Sequence, residues 1–75
     1  MNDEALLEME VKRLGRVLDL IPSGDRAVLL MKYQDDLSIK EIAEILNKTE
    51  SAIKMKIKRA KHKAQKVYRD IFPNQ

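Results

Sequence analysis

The stretch LSIKEIAEILNKTESAIKMKIKR, residues 37–59, decides the fold because it predicts two helices joined by a tight turn. Ser38 and Glu41 stand three residues apart as a capping box, which marks the start of the first helix. The apolar pattern of that helix stops at Asn47, a residue that can take the left-handed conformation that closes a helix. Thr49 is suited to the N-cap of the second helix. A turn of about three or four residues between two helices is typical of the DNA-binding helix-turn-helix, although other helical hairpins share this pattern.

The second helix separates apolar from exposed positions. At about 100° per residue, four apolar residues fall on one side, here called the packing stripe. They are Ile53, Ile57, Ala60 and Ala64. The opposite side, here called the outer face, carries Ser51, Met55, Lys58, Arg59 and His62, with Lys54 on its flank.

The charge of this helix has one sign over most of its length. Residues 51–69 contain eight Lys or Arg and no acidic residue. We therefore expect the helix to attract a polyanion. A solvated helix with incidental basic residues is the alternative, but such helices usually interleave acidic residues.

Composition limits the chain to one small domain. Seventy-five residues can form a single thin core, normally from a few helices. The absence of cysteine excludes disulfides and thiolate metal sites, and it fits a reducing cytoplasm. The longest apolar run, residues 27–31, is too short to span a membrane, and no leader opens the chain, so we expect a cytoplasmic protein with no membrane partner.

Net charge is +3, but it is unevenly distributed along the chain. Residues 1–50 hold seven Lys or Arg against eleven Asp or Glu, whereas residues 51–75 hold eight against one. This asymmetry indicates an anionic partner that docks at the C-terminal part of the chain.

Two further helices are expected before the helix-turn-helix. Asn2 or Asp3 can cap the first of them. Its apolar seam has spacings of four and three and consists of Leu7, Val11, Leu14, Leu18 and Ile21, widened by Leu6 and Val17. The seam fits one helix of a monomeric bundle better than a coiled-coil dimer, because it covers only three heptads and contains Gly15.

Residues 22–24, Pro-Ser-Gly, separate the first helix from the second. Ser23 is expected to cap the second helix, with Asp25 in its first turn and an end near residues 34–36. Its apolar body is Ala27, Val28, Leu30 and Met31. The last helix is expected to run to Asp70 or Ile71, before Pro73.

The predicted fold is therefore all-α, a small four-helix domain covering residues 1–75, with a C-terminal helix-turn-helix. No segment alternates with period two, so we expect neither strands nor a winged-helix hairpin. The residues expected in the core are Leu14, Leu18, Leu30, Ile42, Leu46, Ile53 and Ile57.

The candidates for catalysis are poor. His62 has no partner of matching chemistry nearby in the sequence, and Asp35 and Asp36 resemble a solvated helix end more than a cation site. Gly15 and Gly24 are too far apart to form a phosphate-binding loop. We therefore expect no enzyme activity, no cofactor and no metal site. The basic last helix is amphipathic, so binding to an anionic membrane or to a calmodulin-like groove is a further alternative. Against this alternative, the apolar stripe of the helix is needed to cover the other helices.

Residues 37–61, LSIKEIAEILNKTESAIKMKIKRAK, resemble region 4 of bacterial RNA polymerase sigma factors, most closely the extracytoplasmic-function (ECF) group of the sigma-70 family. That group's usual form is LS-x-x-EIA-x-x-LG-x-S-x-GTVKSRL-x-RA-(R/K). The preceding IPSGDRAVLLMKY, residues 21–33, is similar to the family's LP-x-x-x-R-x-x-x-LRY helix. The likeness extends to about residue 66.

The resemblance implies that the last helix enters the major groove of the minus-35 promoter element. The rest of the domain would contact the flap of the RNA polymerase β subunit, and an anti-sigma factor is a possible further partner. The implied DNA-binding residues, together with exposed neighbours, are Lys32, Ser51, Lys54, Met55, Lys56, Lys58, Arg59, Lys61 and His62. Lys and Arg can bind phosphates or guanine, while Met can offer only apolar contact, for instance to a thymine methyl group.

Four departures from the family pattern affect which DNA sequence is bound. Asn47 replaces the usual turn glycine, and Ser-Ala at residues 51–52 replaces Gly-Thr. Met55 replaces a small polar residue, and Lys58 stands where some members carry an aromatic residue. The fold is expected to tolerate all four.

A complete sigma factor also needs an upstream domain that melts and recognises the minus-10 element, for which 75 residues leave no room. We therefore expect a separated C-terminal domain that is monomeric and binds DNA weakly alone. Two other interpretations stay open. One is a freestanding helix-turn-helix regulator that dimerises through the seam from Leu7 to Ile21. The other is a protein-interaction module that binds polymerase or an anti-sigma factor.

Overall fold

The computed structural model describes residues 11–73, and it describes side chains over residues 13–73. This part of the chain forms four helices: α1 (Val11–Asp19), α2 (Ser23–Tyr33), α3 (Ile39–Leu46) and α4 (Glu50–Ile71). It contains no strand. The predicted all-α fold is therefore confirmed. The predicted cap at Asn2 or Asp3, and the seam residues Leu6 and Leu7, lie outside the described residues.

The helix-turn-helix boundaries are as predicted from local residue types. The Ser38 hydroxyl accepts a hydrogen bond from the Glu41 backbone N–H at 3.0 Å, and the Glu41 carboxylate accepts one from the Ser38 N–H, also at 3.0 Å. Asn47 adopts φ 55° and ψ 50°, the left-handed conformation that ends α3. The Thr49 hydroxyl accepts from the Ala52 N–H at 3.1 Å and caps α4. Each boundary thus satisfies backbone groups that a helix end leaves unpaired.

The start of α2 differs from the prediction. Ser23 is the first helical residue, and Pro22 occupies the N-cap, so the predicted cap at Ser23 was wrong by one position. Proline is tolerated at this position because the N-cap backbone is extended, with φ −56° and ψ 145°, and the proline carbonyl still accepts a hydrogen bond from the Arg26 N–H at 3.0 Å. The other end agrees closely, since α2 ends at Tyr33 with Gln34 as C-cap.

Helix α4 is the element against which α1, α2 and α3 all pack. Every residue of its packing stripe is buried, and Ile53, Ala60 and Ala64 have no exposed surface at all. The predicted end at Ile71 is confirmed, with the Phe72 N–H bonded to the Tyr68 carbonyl at 2.8 Å. The stripe therefore fixes which side of α4 faces away from the other helices.

The residues that are buried in α1 and α2 differ from those predicted. Leu14, Leu18, Leu30 and Leu46 were expected in the core but are only half-buried. The buried residues of α1, the following turn and α2 are instead Val17, Ile21, Val28 and Leu29. Both helices carry apolar residues on two adjacent stripes, and only one of these stripes is covered where the helices pack against α4. Ile42, Ile53 and Ile57 were predicted correctly.

A second contact holds the far end of α4 to α1. The Arg13 guanidinium donates a hydrogen bond to the Tyr68 hydroxyl at 3.1 Å and lies 4.9 Å from the centre of the Phe72 ring. The two rings are 5.2 Å apart between centroids. This cluster combines a cation–π contact with ring packing, so α4 is held near its end as well as along the stripe.

Candidate nucleic-acid interface

The outer face of α4 is exposed along its whole length. Ser51, Met55, Lys58, Arg59 and His62 are all exposed, as is Lys54 on the flank. Met55, the one apolar residue of the outer face, is 46% exposed. The capped start of α4 and the buried stripe together fix these side chains on one side of the domain.

Four of these predicted residues line a shallow groove of about 410 Å³, here called the outer groove. They are Met55, Lys58, Arg59 and His62, and Lys63 completes the lining. The groove combines cationic groups with an apolar floor. Cations at this position can bind phosphates or guanine, and Met55 offers an apolar contact between them.

The other predicted site residues are placed differently. Lys32 is half-buried in the last turn of α2, on a different helix from the outer groove. Lys61 is half-buried on α4. Lys56 is also half-buried, and its ammonium lies 3.7 Å from a carboxylate oxygen of Asp25. The predicted set is therefore divided between an exposed group on the outer face and three half-buried lysines.

A second concave region lies beside the outer groove, and we call it the basic cleft. Its volume is about 300 Å³, and it is lined by Asp25, Lys48, Ala52, Lys56, Arg59 and Lys63. Four cationic side chains therefore surround a single carboxylate. Arg59 and Lys63 line both regions, so the basic cleft and the outer groove are adjacent.

Asp25 is the buried centre of the basic cleft. It is only 4% exposed, and its carboxylate accepts a hydrogen bond from the Lys63 ammonium at 2.7 Å. That hydrogen bond, with the positive charges of Lys63 and Lys56, lowers the pKa of Asp25 against the opposing effect of burial. The carboxylate is therefore ionised at neutral pH and is paired with two lysines of α4.

Sequence patterns did not identify this cluster. Asp25 was interpreted only as an acid in the first turn of a helix, and Lys63 only as one of eight cations. The two residues are 38 positions apart, and no periodicity within one helix relates them. Lys48, in the turn of the helix-turn-helix, was likewise not among the predicted site residues. Its position immediately after the left-handed Asn47 was the available signal.

Other kinds of site have no support within residues 11–73. No group of three or more His, Asp or Glu side chains in this range could hold a metal ion. Its helices also lack the combination of length and apolar character needed to cross a membrane.

Comparison with known proteins identifies the family. Residues 12–63, more than half of the chain, match the family model for sigma-70 region 4. The ECF RNA polymerase sigma factor SigW of Bacillus subtilis (strain 168) is 31% identical over 72 residues, which cover 95% of this chain and 38% of that protein. The chain thus spans well under half the length of this relative. No solved structure matches the chain significantly. The matched residues include α3 and the part of α4 that ends at Lys63, which lines the basic cleft. The chain therefore belongs to the sigma-70 region 4 family of sigma-factor DNA-binding domains.

Proposed function

We propose that this chain is a single sigma region 4 domain that binds the minus-35 promoter element by placing α4 in the DNA major groove. The observation that carries the proposal is the division of α4 into two sides. Its packing stripe is fully occupied by the other helices, while a continuous cationic surface with Met55 at its centre stays exposed. An α-helix fits the major groove, where side chains can distinguish all four base pairs.

The residues of the outer face have different roles in this proposal. Lys58 and Arg59 lie where they can donate to phosphates or to guanine O6 and N7, and Lys54 on the flank is a phosphate contact. Met55 recognises an apolar base edge such as the thymine methyl group. The half-buried Lys32, Lys56 and Lys61 are peripheral, and Lys56 is already paired with Asp25.

No catalytic step belongs to this function. The domain acts by locating a promoter for RNA polymerase, whose β flap we propose as its protein partner in the cytoplasm. Leu20 and Ile45 are 57% and 58% exposed, and we propose these two side chains as apolar contacts for such a partner. An anti-sigma factor would compete for the same kind of surface.

The test is a salt titration of binding to a pool of randomised 20-base-pair duplexes, with the bound fraction sequenced at each salt concentration. About five phosphate contacts predict a log–log slope of roughly −4 to −5. We expect a short motif to be enriched as the salt concentration rises, because base contacts persist when phosphate contacts are screened. Binding that is independent of salt would contradict the proposal.

A triple variant, Lys54→Ala with Lys58→Ala and Arg59→Ala, tests whether the outer face is the binding surface. We expect DNA binding to be lost while the thermal unfolding temperature changes little, because these side chains lie off the packing stripe. The matched control replaces three exposed cations elsewhere, Lys40, Lys66 and Arg69, by Ala and makes the same change in net charge. Equal losses in both triple variants would indicate only non-specific attraction. Binding to a β-flap fragment that survives in the first variant, with DNA binding unchanged, would favour a protein-interaction module.

Sedimentation of the free domain separates the proposal from a freestanding dimeric regulator. A monomer is expected for the sigma domain, while a tight dimer would favour the regulator.

A further inference from the structure

Lys63 occupies an unusual position for a cation on a DNA-binding helix. It lines the outer groove together with Met55, Lys58, Arg59 and His62. Its ammonium nevertheless points into the basic cleft, where it donates to Asp25 at 2.7 Å. A cation beside the proposed DNA surface is therefore held by a carboxylate of a different helix.

Lys56 is held in the same way from the other side. Its ammonium lies 3.7 Å from the second oxygen of Asp25, and it sits close over the backbone of Gly24, 3.3 Å from where a β-carbon would stand. Asp25 therefore uses each of its two oxygens for a different lysine of α4. The side chains of Lys56 and Lys63 are 35% and 52% exposed, whereas that of Asp25 is only 6% exposed.

The burial of Asp25 makes this arrangement persistent. If Lys63 left to bind a phosphate, the Asp25 carboxylate, whose side chain is only 6% exposed, would keep only the more distant Lys56 beside it. An incompletely paired buried charge is strongly unfavourable. An exposed ion pair such as Lys66–Asp70, whose side chains are 76% and 64% exposed, has no such restraint because water can solvate both partners.

From these contacts we infer that Asp25 is a specificity-determining residue of the domain, which holds Lys56 and Lys63 away from DNA phosphates and so limits sequence-independent binding. This inference rests on the proposed DNA-binding function. The carboxylate touches no base. It reduces the number of phosphates that α4 can neutralise and leaves the base-facing side chains of the outer face unchanged, so a larger share of the binding energy depends on sequence.

The decisive variant is Asp25→Asn, measured on the randomised 20-base-pair duplex pool. The amide keeps the shape of the side chain but removes the negative charge that attracts both lysines. We expect the log–log salt slope to become steeper by about 0.9 to 1.8, since each of one or two added phosphate contacts contributes about 0.9. Between 50 and 200 mM salt, the affinity of the variant should therefore fall by about 3- to 12-fold more than that of the native chain.

The matched control is Asp70→Asn. It makes the same change in net charge and also frees a lysine of α4, namely Lys66, but from an exposed pair. We expect its slope to match the native slope. Equal steepening in both variants would overturn the inference, because net charge alone would then explain the result. An unchanged slope in Asp25→Asn would overturn it as well.

A second comparison does not require Asp25 to be altered, and it applies even if the Asn variant fails to fold. Lys63→Gln and Lys58→Gln each remove one cation from the lining of the outer groove. Lys58→Gln should reduce the slope by about 0.9, whereas Lys63→Gln should leave it unchanged because Lys63 contacts no phosphate. Equal reductions would overturn the inference. If the native chain bound no duplex at all, the proposed function itself would fail, which is a distinct result.

Discussion

The two sides of α4 differ in what they require of their residues. The packing stripe is made of uncharged side chains that are almost wholly inaccessible to water. The outer face is exposed and mostly cationic, and Arg59 borders the basic cleft. One helix thus carries the stability of the domain on one side and the proposed recognition of DNA on the other. The difference implies that substitutions can change either property without the other.

The largest expected effect is on the packing side. Ile53→Ala removes a fully buried side chain and should lower the free energy of unfolding by about 2–5 kcal/mol. Met55→Ala, two residues away but exposed, should change it by less than about 0.5 kcal/mol. Thermal unfolding of both variants measures the contrast. Similar losses would show that the two sides are not energetically separate.

The N-cap of α4 belongs neither to the packing stripe nor to the outer face, so it can be weakened without a change in either set of side chains. Thr49→Ala removes the hydroxyl that accepts from the Ala52 N–H, so unfolding should become easier by about 1 kcal/mol. Thr49→Ser keeps the hydroxyl and serves as the control. DNA affinity measured well below the unfolding temperature should be the same for both variants. A large loss of affinity in Thr49→Ala alone would show that the cap also positions the outer face.

Gln65 is a polar residue of α4 that is buried although it lies outside the packing stripe, so it differs from both sides of the helix. It is 5% exposed, and its amide nitrogen has no hydrogen-bond partner within the described part of the chain. Gln65→Met should therefore stabilise the fold by up to about 1 kcal/mol, since it removes an unsatisfied buried donor. Lys66→Met, at an exposed neighbouring position, should not. Destabilisation by Gln65→Met in chemical denaturation would indicate that the amide is satisfied in solution.

The smallest expected effect is a loss of fold stability that appears only when the solution is acidified. The pKa of Asp25 is lowered chiefly by the hydrogen bond from Lys63, and that of exposed Glu41 by the hydrogen bond from the Ser38 backbone. A carboxyl group with a lowered folded-state pKa stabilises the fold above its unfolded pKa and loses that contribution as pH falls through the folded value. The unfolding temperature should therefore decline below about pH 4. The decline should be smaller in Asp25→Asn, and an identical decline would exclude Asp25 as a cause.

Sequence reasoning succeeded where the relevant interactions are local. Ser38, Asn47 and Thr49 each act on backbone groups within a few residues, so their types and spacing were enough to predict the helix ends. The packing stripe and outer face of α4 were also predictable, because a long helix gives periodicity enough positions to be unambiguous.

The errors and omissions involve contacts between helices. Val17 rather than Leu18 is buried in α1, and the sequence of α1 alone does not show which of its two apolar stripes packs against α4. Asp25 could not be recognised as a buried carboxylate from residue type alone, since its partner Lys63 is distant in sequence and belongs to another helix. The division of the cations of α4 into exposed and paired groups is therefore a property of the tertiary structure.

Because α4 is long, a small rotation about one of its ends would move the other end by a large distance. Ser51 at its start and Tyr68 near its end are separated by roughly 25 Å along the axis, and the Tyr68 end is held by Arg13 of α1. A tilt of about 10° around that end would displace Ser51 by about 4 Å, more than the length of a hydrogen bond. The buried residues of the packing stripe, from Ile53 to Ala64, are what prevents such a tilt, so they also fix the position of the outer face.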